Sequence, residues 1–121
     1  MKIVIPIQPR TKKNSQQIIM AKGRPMIIPS KAYKQYEKDC GVFLTHVEPY
    51  LNPCNVKCLY YMPTRRKVDL VNLQEATLDI LVHYGILMDD NSNVVVSMDG
   101  SRVLYDKDNP RTEIEITEDR R

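Results

Sequence analysis

Polar and apolar positions alternate loosely over residues 2–7, and β-branched residues dominate there. That pattern predicts a first strand, stopped by Pro9. Residues 9–15, PRTKKNS, hold no large apolar side chain and read as a basic loop. Residues 16–20 and 24–28 are short apolar runs on either side of AKG, where Gly23 suits a hairpin turn. Ser30 is a candidate N-cap for a first helix, in which Tyr33, Tyr36, Cys40 and Phe43 recur at helical spacing. Pro49 or the Asn52-Pro53 pair is expected to end it. Residues 56–62 form a Tyr-rich strand closed by Pro63 and the basic turn TRRK.

A second helix is predicted over residues 70–84, with Gly85 as its C-cap. At about 100° per residue, Leu70, Leu73, Thr77, Ile80, Leu81 and Tyr84 share one arc. Asn72, Glu75 and Asp79 make a polar stripe, while Val71, Leu78 and Val82 make a second apolar strip. Such a helix is expected to be buried on two sides, against its own sheet and against a partner chain. Asp89-Asp90-Asn91-Ser92 then reads as a turn, residues 94–98 and 101–105 as strands, and residues 111–118, RTEIEITE, as a last alternating strand. The simplest packing is α+β, with two main helices on one small mixed β-sheet in a single domain over residues 1–121.

The composition fits a folded chain, with 42% hydrophobic and 27% charged residues. No apolar run approaches the roughly 18 residues of a membrane span, so no membrane partner is expected. MKIVIPIQPR lacks the apolar core and cleavage site of a signal peptide, which points to the cytoplasm. Cys40, Cys54 and Cys58 are odd in number and match neither disulfide-framework nor zinc spacing, so they are expected to be reduced thiols, in the core or half-buried.

The net charge of +3 hides a split. Residues 1–67 carry thirteen Lys/Arg against three Asp/Glu, and residues 68–121 carry five against twelve. A half at +10 thus adjoins a half at −7. A basic surface for a polyanion beside an acidic cluster is the natural reading. A polyanion binder without catalysis does not need the acidic half, whereas a nuclease needs both.

Metal-dependent phosphodiester hydrolysis requires carboxylates that converge from separate elements, because Mg²⁺ takes hard oxygen ligands. Asp69 enters the second helix and Asp90 leaves it. They stand about 20 Å apart unless the chain after Gly85 folds back along the helix. Simpler roles compete with this one. Asp69 is a common N-cap type, and the 89–92 tetrad is ordinary turn chemistry. Lys12-Lys13 and Arg65-Arg66-Lys67 are solvated loop charges unless they share a face.

RRKVDLVNLQEATLDIL followed by GILMDDNSNVVV resembles the RusA family of Holliday-junction resolvases, common in phages and prophages. The family pattern is a basic run, then Asp-Leu-Asp-Asn-Leu, a Lys one turn later, and an Asp-Asp pair after the helix. TKKNSQQ, IIPSKAYKQYEKD and GSRVLYDKDNPRTEI resemble one branch of the family, so the likeness spans most of the chain. It implies a homodimer of small α+β subunits that cuts four-way DNA junctions symmetrically with Mg²⁺ or Mn²⁺, without a small-molecule cofactor. It also implies a fold that brings the turn after the second helix beside that helix's start.

Asp69 falls on the first family aspartate and Asp90 on the acid after the helix, and Asn72 and Leu73 match as well. Val71 replaces the second aspartate, and Glu75 replaces the lysine. Positions 71 and 75 lie one turn apart on one helix face, and side chains lean toward the N-terminus. Glu75 can therefore reach toward the space of a carboxylate at 71. Asp69, Glu75 and Asp90 are accordingly expected as catalytic metal ligands, with Asp89 as an outer ligand. Lys12, Lys13, Arg65, Arg66 and Lys67 are expected to hold junction phosphates. The alternatives are a catalytically decayed junction-binding protein, or a small phage structural or regulatory protein.

Overall fold

The structure, a computed structural model, describes residues 1–12, 16–29 and 31–119. The expected N-cap, Ser30, lies outside these. In chain order the elements are β1 (Lys2–Ile5), β2 (Gln16–Ala21), β3 (Arg24–Pro29), α1 (Lys31–Leu44), β4 (Cys54–Met62), α2 (Leu70–His83), β5 (Val95–Ser97), β6 (Arg102–Tyr105) and β7 (Arg111–Glu118). The fold is α+β, as the patterns predict. No described helix is long and apolar enough to cross a membrane.

β4 organises the main sheet. Antiparallel β7 lies on one side of it and carries β1 on its far edge. On the other side β5 pairs in parallel with the start of β4, and β6 pairs in parallel with its end. Every second residue of β4 (Cys54, Val56, Cys58 and Tyr60) is fully buried. Ile3 and Ile5 of β1 and Ile114 and Ile116 of β7 complete that face. The period of two thus sends one face of the sheet under the helices.

Both helices bury their apolar stripes there. α1 contributes Tyr33, Tyr36, Cys40 and Leu44, and α2 contributes Leu73, Ala76, Thr77, Ile80 and Leu81. Thr77 Oγ1 bonds Leu73 O at 2.9 Å and Tyr60 Oη at 2.8 Å. With the Thr77 proton given to the carbonyl, the Tyr60 hydroxyl donates, and both buried polar groups are satisfied. The three cysteines are free and buried, as expected.

The boundaries differ from the sequence pattern in instructive ways. β1 stops at Ile5, because Pro6 has no N–H to continue the ladder. α1 stops at Leu44, before Pro49, and Phe43 is 40% exposed while Leu44 takes the core position. Eleven residues from Tyr33 make almost three whole turns, whereas ten leave Phe43 rotated outward. α2 ends at His83 with Tyr84 as its C-cap, and Gly85 follows at φ 75°. Tyr84 leaves the apolar arc to brace α1, its hydroxyl donating to Glu37 O at 2.8 Å. In the second apolar strip Leu78 and Val82 pack against the core, while Val71 is 69% exposed.

Candidate functional site

The site begins where β4 hands over to α2. Asp69 occupies the N-cap position with extended backbone (φ −77°, ψ 119°), yet its side chain makes no capping bond. An Asp there normally accepts from the second or third helical amide. Here the carboxylate is exposed and instead accepts from Asn72 Nδ2, at 3.2 Å. The capping role that competed for Asp69 is therefore not what its side chain does.

Next to it lies a hollow of about 190 Å³ lined by Arg10, Thr11, Thr64, Arg66, Lys67 and Leu73, among others. β1 runs parallel to β4 through their shared neighbour β7, so the loop leaving β1 arrives beside the turn leaving β4. Three cations from two loops thereby converge at the N-terminal end of α2, whose unpaired amides carry partial positive charge. Nothing in the sequence pattern marks Arg10. It lies in the basic loop, but only the parallel placement of β1 and β4 singles it out.

The other expected phosphate ligands separate. Arg65 turns away to stack on Tyr105 of β6, with its guanidinium 4.3 Å from the ring centroid. The Lys12 ammonium is ion-paired with Asp79 on the polar stripe of α2 and lies 5.8 Å from the Tyr33 ring centroid. The side chain is half-buried, and its charge is paired with the helix. Lys13 lies outside the described residues.

Glu75 is exposed, one turn along α2 from Val71 and one turn before the Lys12–Asp79 pair. Burial raises the pKa of the Tyr33 hydroxyl above its ordinary 10.0, and the charges of Glu37, Asp79 and Glu75 add to the effect. The Lys12–Asp79 pair and the Lys12–Tyr33 contact set the polar stripe of α2 beside α1 and the basic loop.

Asp89 and Asp90 behave differently from Asp69. Asp89 holds the turn together: its Oδ1 accepts from the Asp90 amide at 2.7 Å and its Oδ2 from Asn91 Nδ2 at 3.0 Å. These bonds, the backbone one first, hold its carboxyl below the usual value. Asp90 is exposed beside it.

The expected return of this turn to the start of α2 does not occur within one chain. Ile86 N and Leu87 N both bond Leu81 O, and Tyr50 N bonds Ile86 O at 2.8 Å. On the far side of the turn, Val94 N and Val95 N bond Asn91 O, and Cys54 N bonds Val94 O at 3.0 Å. The acidic turn is thus tied to the Cys54 end of β4, while Asp69 follows the Met62 end. A 14-residue helix separates them, roughly 20 Å of axis. Among the described residues, no three His, Cys, Asp or Glu side chains are grouped so as to hold a metal ion.

No curated protein matches the chain. A protein-family model described as Endodeoxyribonuclease RusA matches residues 6–117.

Proposed function

Since the chain belongs to the RusA family of endodeoxyribonucleases, we propose that it is a Mg²⁺-dependent homodimeric resolvase of Holliday junctions and other branched DNA. Its setting is the cytoplasm, that of the host cell if the chain is phage- or prophage-encoded, in recombination, repair or phage DNA processing. Beyond the family, one observation carries this reading. An exposed aspartate that declines to cap its helix stands beside a hollow lined by Arg10, Arg66 and Lys67. Cations for a phosphate and an oxygen donor for a divalent ion are there adjacent.

Asp69, Glu75 and Asp90, with Asp89 behind, are the hard oxygen donors that Mg²⁺ takes, Mn²⁺ being the natural substitute. One chain alone does not gather them, so the donor set fits the ion only if a second copy completes it. A two-fold axis across α2 sets the start of one helix beside the end of the other. The set would then be Asp69 and Glu75 of one chain with Asp90 of the partner subunit. Exposed apolar side chains occur at both places, Val71 at the start of α2 and Met88 beyond its end, at 69% and 72% exposure. The same axis would cover them.

When bound, the cation supplies Lewis-acid charge at the scissile phosphate. Around it, Asn72 orients the Asp69 carboxylate, and Arg10, Arg66 and Lys67 neutralise and position the backbone of the DNA strand. A two-fold assembly presents one such site to each of two opposed strands.

A junction-binding protein without cleavage is the second reading, favoured by Val71 and Glu75 where the family carries Asp and Lys. Incubating the chain with a four-way junction and with linear duplex, each with Mg²⁺, separates the two. Paired nicks in the junction alone are the expected result. Branch-selective binding without nicks would select the second reading, and the absence of branch-selective binding would overturn both.

A further inference from the structure

The first 36 residues contain eight Lys/Arg and no Asp or Glu. In their midst β2 and β3 form a two-stranded sheet of their own, paired from Gln16↔Pro29 to Ala21↔Arg24 and, among the described residues, bonded to no strand of the main sheet. At about 3.4 Å per residue the ribbon is roughly 20 Å long. An isolated two-stranded ribbon is marginal in water and gains stability when something covers it.

Its surface is unusual for such an arm. On one face, the register sets Met20 beside Pro25, and Ile27 follows two residues on from Pro25. Met20 is 70% exposed and Ile27 66%, and Met26 on the opposite face is 48% exposed. At the tip the turn residues Lys22 and Gly23 both have positive φ, 52° and 75°. Two-residue turns of that kind favour Asn-Gly or Asp-Gly, and a lysine held there is strained. Arg24 follows at once. The tip therefore carries two exposed cations, one of them in a conformation that turn stability does not favour. Backbone strain of this kind persists where a function uses it.

We propose that the β2–β3 ribbon is a DNA-binding arm. Lys22 and Arg24 neutralise phosphates of one duplex arm, while the Met20/Ile27 face lies against sugar and base surface next to the branch point. A two-stranded ribbon fits a DNA groove, and Met, Ile and Pro are the side chains that proteins wedge against opened base steps. The absence of any acid over residues 1–36 makes a polyanion the occupant of complementary charge, and packing on a second copy is an outcome that the test below reads. This inference rests on the reading of the protein as one that binds branched DNA, and it names a surface outside the Asp69 site.

The experiment uses two variants of the full chain. In Lys22→Asn with Arg24→Gln, the turn gains its preferred residue and loses both charges. Junction affinity should fall by tenfold or more, and the slope of log K against log salt should flatten by about 0.9 for each phosphate no longer neutralised. The thermal midpoint should hold or rise. An unchanged slope overturns the proposal. In Met20→Ser with Ile27→Ser, binding to the junction should weaken more than binding to linear duplex, at unchanged mass by light scattering. A fall in mass with an unchanged salt slope would mean that the ribbon packs on another subunit, and overturns it as well. Wild-type protein that binds junctions without cutting them sinks the nuclease reading alone. Wild-type cleavage with normal slopes in the first variant sinks the arm alone.

Discussion

Asp69 and Asp90 stand at opposite ends of α2, one tied to the Met62 end of β4 and the other, through Asn91 and Val94, to its Cys54 end. Both are exposed. If both serve one phosphate, two chains must supply them, and that relationship has a direct genetic consequence.

Asp69→Asn and Asp90→Asn should each abolish junction cleavage while leaving binding intact or tighter, since each removes negative charge near phosphate. Mixed and allowed to exchange subunits, the two dead proteins should regain nicking. The heterodimer then holds one site with both acids intact and one with neither. Sites built within single chains would stay dead in every mixture, so an inactive mixture of proven heterodimers refutes the shared site.

Glu75 is expected to replace the carboxylate missing at Val71. Glu75→Gln keeps size and hydrogen bonding, so it should lower the cleavage rate by orders of magnitude with little change in thermal midpoint. Val71→Asp combined with Glu75→Lys restores the common family pattern and should recover more activity than Glu75→Lys alone. Wild-type rates in Glu75→Gln would reduce Glu75 to a solvated helix residue.

Arg10 and Lys12 sit two positions apart but should behave differently. Arg10 lines the hollow beside Asp69, whereas Lys12 is paired with Asp79. Arg10→Ala should weaken junction binding and flatten its salt slope by about 0.9 if the side chain neutralises one phosphate. Lys12→Ala should leave the slope nearly unchanged, because its charge is already spoken for. An unchanged slope in Arg10→Ala would show that the hollow holds no phosphate.

Gly41 lets α1 and Tyr84 meet. A Cβ at position 41 would come within 2.5 Å of the Tyr84 hydroxyl and 2.6 Å of its ring. Gly41→Ala should therefore destabilise by about 1–3 kcal/mol, overpacking outweighing the helix preference for Ala. With Tyr84→Leu in the background, the same change should become stabilising. Additive effects in a double-mutant cycle of urea midpoints would disprove the close approach.

Burial pushes the thiols of Cys40 and Cys58 up from 9.0 to about 11. The unfolded chain then loses these protons first as pH rises. Stability contributed by the neutral buried thiols is full below pH 9 and is lost on the way to about 11. Chemical denaturation across that range should show a flat midpoint at neutral pH and a fall above the ordinary thiol value. Native protein whose Cys58 reacts readily with a thiol reagent at neutral pH would contradict the burial.

The two-residue period of β4 and β7, the 3.6-residue period of α2 and the Gly23 turn are local facts, and they name the elements without reference to the rest of the chain. Local order likewise fixes that Asp69 begins a helix and that basic residues precede it, since both are matters of adjacency. Sequence spacing could not decide whether Asp69 caps that helix, because one side chain can satisfy either an amide or Asn72, and only three-dimensional placement selects. Nor could it assign Lys12 to Asp79 or Arg10 to the hollow: the partners lie 67 residues apart in one case and across a parallel strand arrangement in the other. The separation of Asp69 from Asp90 was set by backbone hydrogen bonds that tie the acidic turn to β4. Those bonds join positions as far apart as Cys54 and Val94, and non-local pairing of that kind is decided by the packing of the whole sheet.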